Sequence, residues 1–317
     1  MFVLVATVSA PLRAAEIDSV TSRNERLRDS SKALDARINA ALRTAVERAN
    51  ERGPGCDPQA LTRQLRQALS VPFIGHSIAE DLNDADDLDT RRVAFRDSIY
   101  RDLGVFDAIS VHLKDLSAVI RLGDHLVGVD KIGHFFVQGW TYFEIAYLQE
   151  DGIEAAMDWG ERAERTVFGL YTTGIYSYAD LAANFEGMRF WLRLLGPEQD
   201  PLERSWWFNR PIVTCSKRLW SREPYWRIRR KARISRSVTA AWDEGVNCIR
   251  YRNPEIEALV AKRIAEREAA DAERYTCPIR PDECADARER YDGYADRLLH
   301  PLCADAQRPP RPWWKPW

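Results

Sequence analysis

The middle of this chain, from about residue 128 to 195, most constrains its fold, because an apolar and aromatic sequence is interrupted there by a few polar residues at helical spacing. In the first part Ile132, Phe136, Trp140, Phe143 and Tyr147 recur every three or four positions and form the packed stripe of a helix, while Asp130, His134, Gln138 and Thr141 fall on another face. In the last part Leu181, Phe185, Met188, Leu192 and Leu195 make a second stripe, and Asp180, Asn184 and Gly187 lie elsewhere. Polar groups in such surroundings are costly unless something pairs with them. The segments VDKIGHFF (129–136) and SYADLAANFEG (177–187) therefore predict that Asp130, His134, Asp180 and Asn184 converge, as a hydrogen-bonded knot or as a site.

The flanking sequence is also helical in pattern. Residues 16–52 contain neither Gly nor Pro and carry Val20, Leu27, Leu34, Ile38 and Leu42 near helical spacing, which predicts one long amphipathic helix ended by Gly53-Pro54-Gly55. Asp57 caps a second helix with Leu61, Leu65 and Leu69 on one face, and 90–103 and 108–122 read as two more. Residues 153–171 supply a helix bearing Glu161 and Glu164, and the spans 254–274 and 282–299 supply charged ones. No segment sustains a two-residue alternation. The expected fold is thus all-α: a bundle-like core behind a long N-terminal helix, with a partly irregular, disulfide-stabilised C-terminal extension. The expected divisions are 1–15, 16–196 with the core at 129–195, and 197–317.

The first fifteen residues combine an apolar run with Ala14 and Ala15, which reads as the tail of a secretory signal lacking its basic start, or else as a buried N-terminal segment. The six cysteines are an even number and form no C-x-x-C pair, so disulfides of an exported protein are expected rather than a zinc ribbon. Four of them follow residue 240, and a stapled tail is the simplest account. The 46 basic and 48 acidic side chains nearly cancel, so no global field recruits nucleic acid. A mean hydropathy of -0.43 argues against a multispan membrane protein.

Asp130 and His134 stand four apart, neighbours on a helix surface, so a carboxylate can orient an imidazole or both can reach one ion. Asp180 and Asn184 repeat the spacing with oxygen ligands, and Glu164 could close the set. Carboxylates, an amide and an imidazole suit Mg²⁺, Mn²⁺ or Zn²⁺. The plainer reading is structural: Ser177-x-x-Asp180 fits a capping box, and the remaining polar groups could simply join helices. A second candidate surface is basic and aromatic, from Trp206 to Arg236, followed by the Trp-rich end with Trp313, Trp314 and Trp317. Such a mixture suits a membrane surface or a cell-wall polymer, although packed rings with solvated arginines would explain it equally.

The order D-K-x-x-H-F, then an acidic residue in a following helix, then S-x-x-D-x-x-A-N-x-x-G, resembles the VanZ-like proteins. It is carried here by Asp130, Lys131, His134, Phe135, Ser177, Asp180, Ala183, Asn184 and Gly187, within residues 129–190. VanZ-like proteins are small integral membrane proteins linked to glycopeptide resistance and the cell envelope. This chain is longer and more polar, so the resemblance implies a shared helical core and an envelope context.

The functional expectation is an exported, envelope-associated protein of the periplasm or cell envelope with a metal site of Asp130, His134, Asp180 and Asn184. As an enzyme it would hydrolyse a lipid, glycan or phosphoester, with Glu164 as base and His134 as the second catalytic group. The alternative is a non-catalytic scaffold that binds lipid or cell-wall polymer through its basic aromatic surface.

Overall fold

The computed structural model describes residues 16–53, 55–70, 82, 85, 88–113, 115–166, 169–196, 200–202 and 211–305. The signal-like start, Trp206, Trp207, Phe208 and the Trp-rich end lie outside them. The fold is mostly helical but not all-α, because among the described residues three small antiparallel sheets join the helices.

The helix expected over 16–52 begins only at α1 (Ser31–Arg52). Residues before it are held by a side chain instead. The Asp18 carboxylate accepts from the backbone N–H of Val20, Thr21 and Ile99, a local competitor that diverts the backbone from helix. Arg52 is followed by Gly53, and α2 (Pro58–Leu69) starts from the Asp57 cap, which accepts from Gln59 N–H. Leu34, Ile38 and Leu42 of α1 pack with Leu61, Leu65 and Leu69 of α2.

The two helices expected over 90–103 and 108–122 are largely strands and turns. β1 (Thr90–Arg91) pairs with the edge of a hairpin, and among the described residues a 3-10 turn at Phe95–Asp97 and α3 (Ile109–Leu113) are the helical parts of this stretch before β2 (Val119–Leu122) and β3 (His125–Gly128). Leu122 pairs with His125, so Gly123 and Asp124 form a two-residue loop with Gly123 at φ 62°. A Gly-Asp pair between β-branched runs is a hairpin signal that outweighs helical spacing in so short a segment.

β3 feeds directly into α4, the helical stretch 129–148, which alternates α turns (Val129–Gly133, Gly139–Phe143) with π turns (His134–Gln138, Glu144–Leu148). α5 (Gly152–Arg165) returns across it, and β4 (Ile175–Ser177) leads into α6 (Tyr178–Leu195), which Gly196 ends at φ 67°. α4 and α6 approach closely at Gly139 and Gly187. A Cβ on Gly187 would stand 2.0 Å from the Phe135 carbonyl oxygen, so the two glycines set the helix separation. The aromatic rings of Phe135, Phe136, Phe190 and Trp191 interlock around this contact, and Trp191 Nε1 donates to Phe136 O at 3.1 Å.

Beyond α6 the chain adds a hairpin, β5 (Val213–Lys217) and β6 (Pro224–Ile228), and then β7 (Ile249–Tyr251), which pairs with β4. α7 (Pro254–Asp271) covers a second, smaller core through Ile256 and Val260, against Ile99, Tyr100 and Val111. α8 (Pro281–Tyr291) and the short α9 (Ala295–Leu298) and α10 (Pro301–Ala304) return to the main core. The buried Glu186 of α6 joins them there, 2.7 Å from Arg189 and 3.0 Å from Arg290 of α8.

All six cysteines are bonded: Cys56 to Cys215, Cys248 to Cys277 and Cys284 to Cys303. Two of the bonds staple the C-terminal region, and the third ties the β5–β6 hairpin to the α1–α2 connection. Disulfides of this number fit an oxidising compartment. Among the described residues no helix is long and apolar enough to cross a membrane.

Candidate functional site

α4 and α6 both begin at the same buried cluster, so the positive ends of their dipoles face it and favour carboxylates there. Asp130 lies in the first turn of α4 and Asp180 in the first turn of α6. Ser177 caps α6 through its hydroxyl, which accepts from Asp180 N–H at 3.3 Å. That cap uses the Asp180 backbone N–H. Its side chain is left for the cluster, with Oδ2 3.1 Å from His134 Nε2 and Oδ1 2.6 Å from Lys131 Nζ.

Lys131 is the centre of the arrangement. Its ammonium exposes no surface and lies 2.7 Å from Asp130, 2.6 Å from Asp180 and 2.7 Å from Glu244. Burial alone would lower its pKa, but the carboxylates of Asp130, Asp180, Glu244 and Glu16 outweigh it and hold the pKa well above the ordinary value. Ser177 Oγ donates to Glu244 at 2.8 Å and so links the α6 cap to the segment before β7.

Five carboxylates gather here: Glu16, Asp130, Glu164, Asp180 and Glu244, with Lys131 and His134 as the basic groups. The excess of acid appears in their protonation. Burial, then repulsion from Glu244 and Asp180, pushes Glu16 well up; burial, then Asp180 and Glu16, does the same to Glu164. Burial raises Glu244 to about 7 despite Lys131. Asp180 goes the other way, because His134 and Lys131 together overcome the burial that would raise it. Asp130 is raised, its burial outweighing Lys131.

The ring of His134 is held from both sides. Its Nδ1 lies 3.2 Å from the side-chain amide of Asn184, whose nitrogen, turned inward, also reaches the carbonyl oxygens of Asp180 and His134 at 3.2 and 3.3 Å. With the amide nitrogen donating to Nδ1, Nε2 carries the proton and donates to Asp180. With the amide reversed, Nδ1–H donates to Asn184 Oδ1 and the Nε2 lone pair is released toward the cluster, as a metal-bound histidine requires. The Tyr142 hydroxyl bonds Asn184 from the far side. Gly160 of α5 makes room for that hydroxyl, since a Cβ there would overlap it.

The structure thus brings together His134, Asp180 and Asn184 directly, reaches Asp130 through Lys131, and adds Glu164. Ligand atoms of His134, Glu164 and Asp180 lie within 4.8 Å of one another, and all three residues are buried, so this triad could hold a metal ion. Beside the triad, Asp130 pairs with the Lys131 ammonium at 2.7 Å and the Asn184 amide lies 3.2 Å from His134 Nδ1. The donor set fits a hard or borderline cation, and Asp130 Oδ1 and Glu244 Oε2 are buried without a hydrogen-bond partner close by. Lys131, Glu244 and Glu16 were not among the sequence candidates for the site. A lysine inside an aromatic helix was the available signal for the first; no spacing announces the other two.

The other histidines among the described residues have different partners. His112 Nε2 bonds Leu103 O at 2.7 Å, His125 approaches Glu283 at 3.5 Å, and His300 accepts from Leu302 N–H at 3.2 Å. No family model, curated protein or solved structure matches the chain.

Proposed function

We propose that this chain is an exported cell-envelope protein whose core cluster binds a divalent cation and hydrolyses an ester or phosphoester of a lipid or glycan. The observation that carries this reading is the clustering of His134, Glu164 and Asp180 ligand atoms within 4.8 Å beside a surplus of buried carboxylates. Lys131 neutralises part of that charge and orients Asp180, which leaves the imidazole and Glu164 to complete a three-ligand set. A cation bound there would polarise a substrate oxygen or acidify a water molecule. Glu164, held proton-rich by burial, would serve either as ligand or as the group that exchanges the proton. The disulfides support the exported location, and the motif order of Asp130, Lys131, His134, Asp180 and Asn184 supports kinship with the VanZ-like proteins.

A purely structural knot is the second reading, favoured by the threefold pairing of Lys131 and by side chains of Asp130, His134 and Asp180 that keep only 6%, 5% and 8% of their surface. Thermal unfolding of the full chain separates the two. An ion that binds only the folded state adds about 2.7 kcal/mol at a hundred times its Kd. Mg²⁺, Mn²⁺ or Zn²⁺ is expected to raise the melting temperature over that in chelator, and His134→Ala to abolish the increment. Coincident curves with ion and chelator overturn the metal reading and leave the knot.

A further inference from the structure

The β5–β6 hairpin presents two large apolar side chains to solvent at its tip. Leu219 is 84% exposed and Trp220 is 94% exposed, whereas Trp140, Trp191 and Trp242 are buried in the core. The tip is also basic. Lys217, Arg218 and Arg222 flank the pair and are exposed, and residues 213–231 carry seven Lys and Arg against one acid, Glu223, in a chain whose net charge is -2.

The base of the hairpin is fixed, so the tip is held out rather than tumbling. Cys215 is bonded to Cys56. Trp226, paired with Cys215 across the ladder, donates its backbone N–H to Asn50 Oδ1 at 2.7 Å and its indole N–H to Asp57 O at 3.2 Å. The turn itself is closed by Arg218 N–H to Glu223 O at 2.9 Å and Arg222 N–H to Arg218 O at 3.1 Å.

We propose that this tip docks on a bilayer surface bearing anionic phospholipids, with Leu219 and Trp220 entering the interface and Lys217, Arg218 and Arg222 meeting headgroup phosphates. Trp prefers the boundary between headgroups and acyl chains, and cations beside it are attracted by the negative surface potential. A protein partner would need on the order of 800 Å² from each side, far more than two apolar residues supply. A soluble polyanion would engage the cations and leave Leu219 without a role. The proposal stands on the hairpin alone and does not depend on the metal reading.

The test uses the full chain with its disulfides intact, co-sedimented with vesicles of phosphatidylcholine alone and of three parts phosphatidylcholine to one part phosphatidylglycerol. Binding is expected to the mixed vesicles and to weaken as salt is raised, because screening shortens the reach of the headgroup charge. Leu219→Ser with Trp220→Ser should lower the partition coefficient at least about tenfold. Lys217→Gln, Arg218→Gln and Arg222→Gln together should lower it on the order of a hundredfold. Each variant is checked for an unchanged melting curve. In the parent, lipids brominated in the acyl chains should quench part of the tryptophan emission, and Trp220→Phe should lose that part while still binding. Equal binding of the parent to neutral and mixed vesicles, binding only to a protein or a cell-wall polymer, or a serine variant that partitions like the parent overturns the proposal.

Discussion

Lys131 Nζ stands 2.7 Å from Glu244 Oε1, and neither side chain exposes any surface. The pair joins the first turn of α4 to the segment leading into β7, and Asp130 and Asp180 complete the surround of the ammonium. An ammonium buried without such partners would lose its proton, and carboxylates buried without the ammonium would have to gain theirs. Removing one member of a buried ion network is therefore expensive, because it strands the others. Lys131→Met is expected to cost about 3–5 kcal/mol, read as a lower urea midpoint at neutral pH. The loss should shrink in mild acid, where the stranded carboxylates take up protons.

The same cluster sets a pH dependence of the parent protein. Glu244 has a folded pKa raised to about 7 from the ordinary 4.5, and Glu16 and Glu164 are also raised. A raised acid binds its proton more tightly in the folded state, so its stabilisation is present below the unfolded pKa and is lost as pH rises through the folded one. Unfolding free energy is expected to fall between about pH 4.5 and 7, by about 1.4 kcal/mol per unit for each proton released. Below that window Asp180, Asp243 and Glu186, whose pKa values are lowered, reverse the slope as they are protonated. A stability maximum in mild acid, measured by urea titration across pH, is the expected outcome. A monotonic rise from acid to neutral pH would contradict the assigned protonation.

The helical framework of this site was legible because two aromatic stripes with polar interruptions recur at helical spacing, and that pattern survives folding in α4 and α6. Its immediate neighbours were not. Thr90 to Leu122 has helical apolar spacing too, yet Gly123-Asp124 turns the chain and Val119 and Ile120 pair as a strand, so a two-residue turn outweighed periodicity in a short segment. Asp130 and His134 do share a region, but the ammonium of Lys131 stands between Asp130 and the triad, which four-residue spacing alone cannot reveal. Glu16 and Glu244 reach the cluster from irregular segments, where side-chain direction follows tertiary contacts such as Ser177 Oγ to Glu244 and Ser117 N–H to Glu16 O. Irregular backbone has no period to read.

Asn184 separates the role of a ligand from that of a positioning residue. It sets which ring nitrogen of His134 carries the proton, so Asn184→Ala should leave the triad intact while loosening ring orientation. Loss of such an outer partner typically weakens metal affinity about 10–100-fold. His134→Ala should instead remove the metal-dependent rise in melting temperature outright. Calorimetric titration with Zn²⁺ or Mn²⁺ is the measurement, and equal affinities for the parent and Asn184→Ala would show that the amide does not tune the ring.

The C-terminal disulfides hold the segment that delivers Glu244. Cys248 follows it closely, and the Cys277 sulfur lies 3.6 Å from Glu244 O and 3.5 Å from Val246 O. Opening a bond with a sequence separation of 29 frees a loop whose closure is worth about 3.6 kcal/mol in the chain-entropy account. Cys248→Ser with Cys277→Ser is expected to lower stability by that order and to weaken any metal-dependent increment as Glu244 loses its position. Thiol titration of the unfolded, unreduced parent should find no free thiols, in keeping with six bonded cysteines.

Gly187 tests whether the site depends on helix separation rather than on its polar residues alone. A Cβ there would stand 2.0 Å from Phe135 O and 2.9 Å from the Cα of Gly139, and neither is a side chain that can rotate away. Gly187→Ala must therefore push α4 from α6, at a cost of about 3 kcal/mol by the usual scale of overpacking. His134 precedes Phe135 on α4, and Asp180 and Asn184 lie on α6, so the same displacement opens the 3.1 Å and 3.2 Å contacts that hold the imidazole. The variant should lose stability and metal response together. Gly293→Ala is the matched control: its Cβ would meet nothing within 4 Å, and its φ lies outside the left-handed region. That change should leave urea midpoint and metal response unaltered or raise stability by up to about 1 kcal/mol through the unfolded chain's lost freedom. Equal behaviour of the two alanine variants would show that the contact between Gly139 and Gly187 does not set the geometry of the cluster.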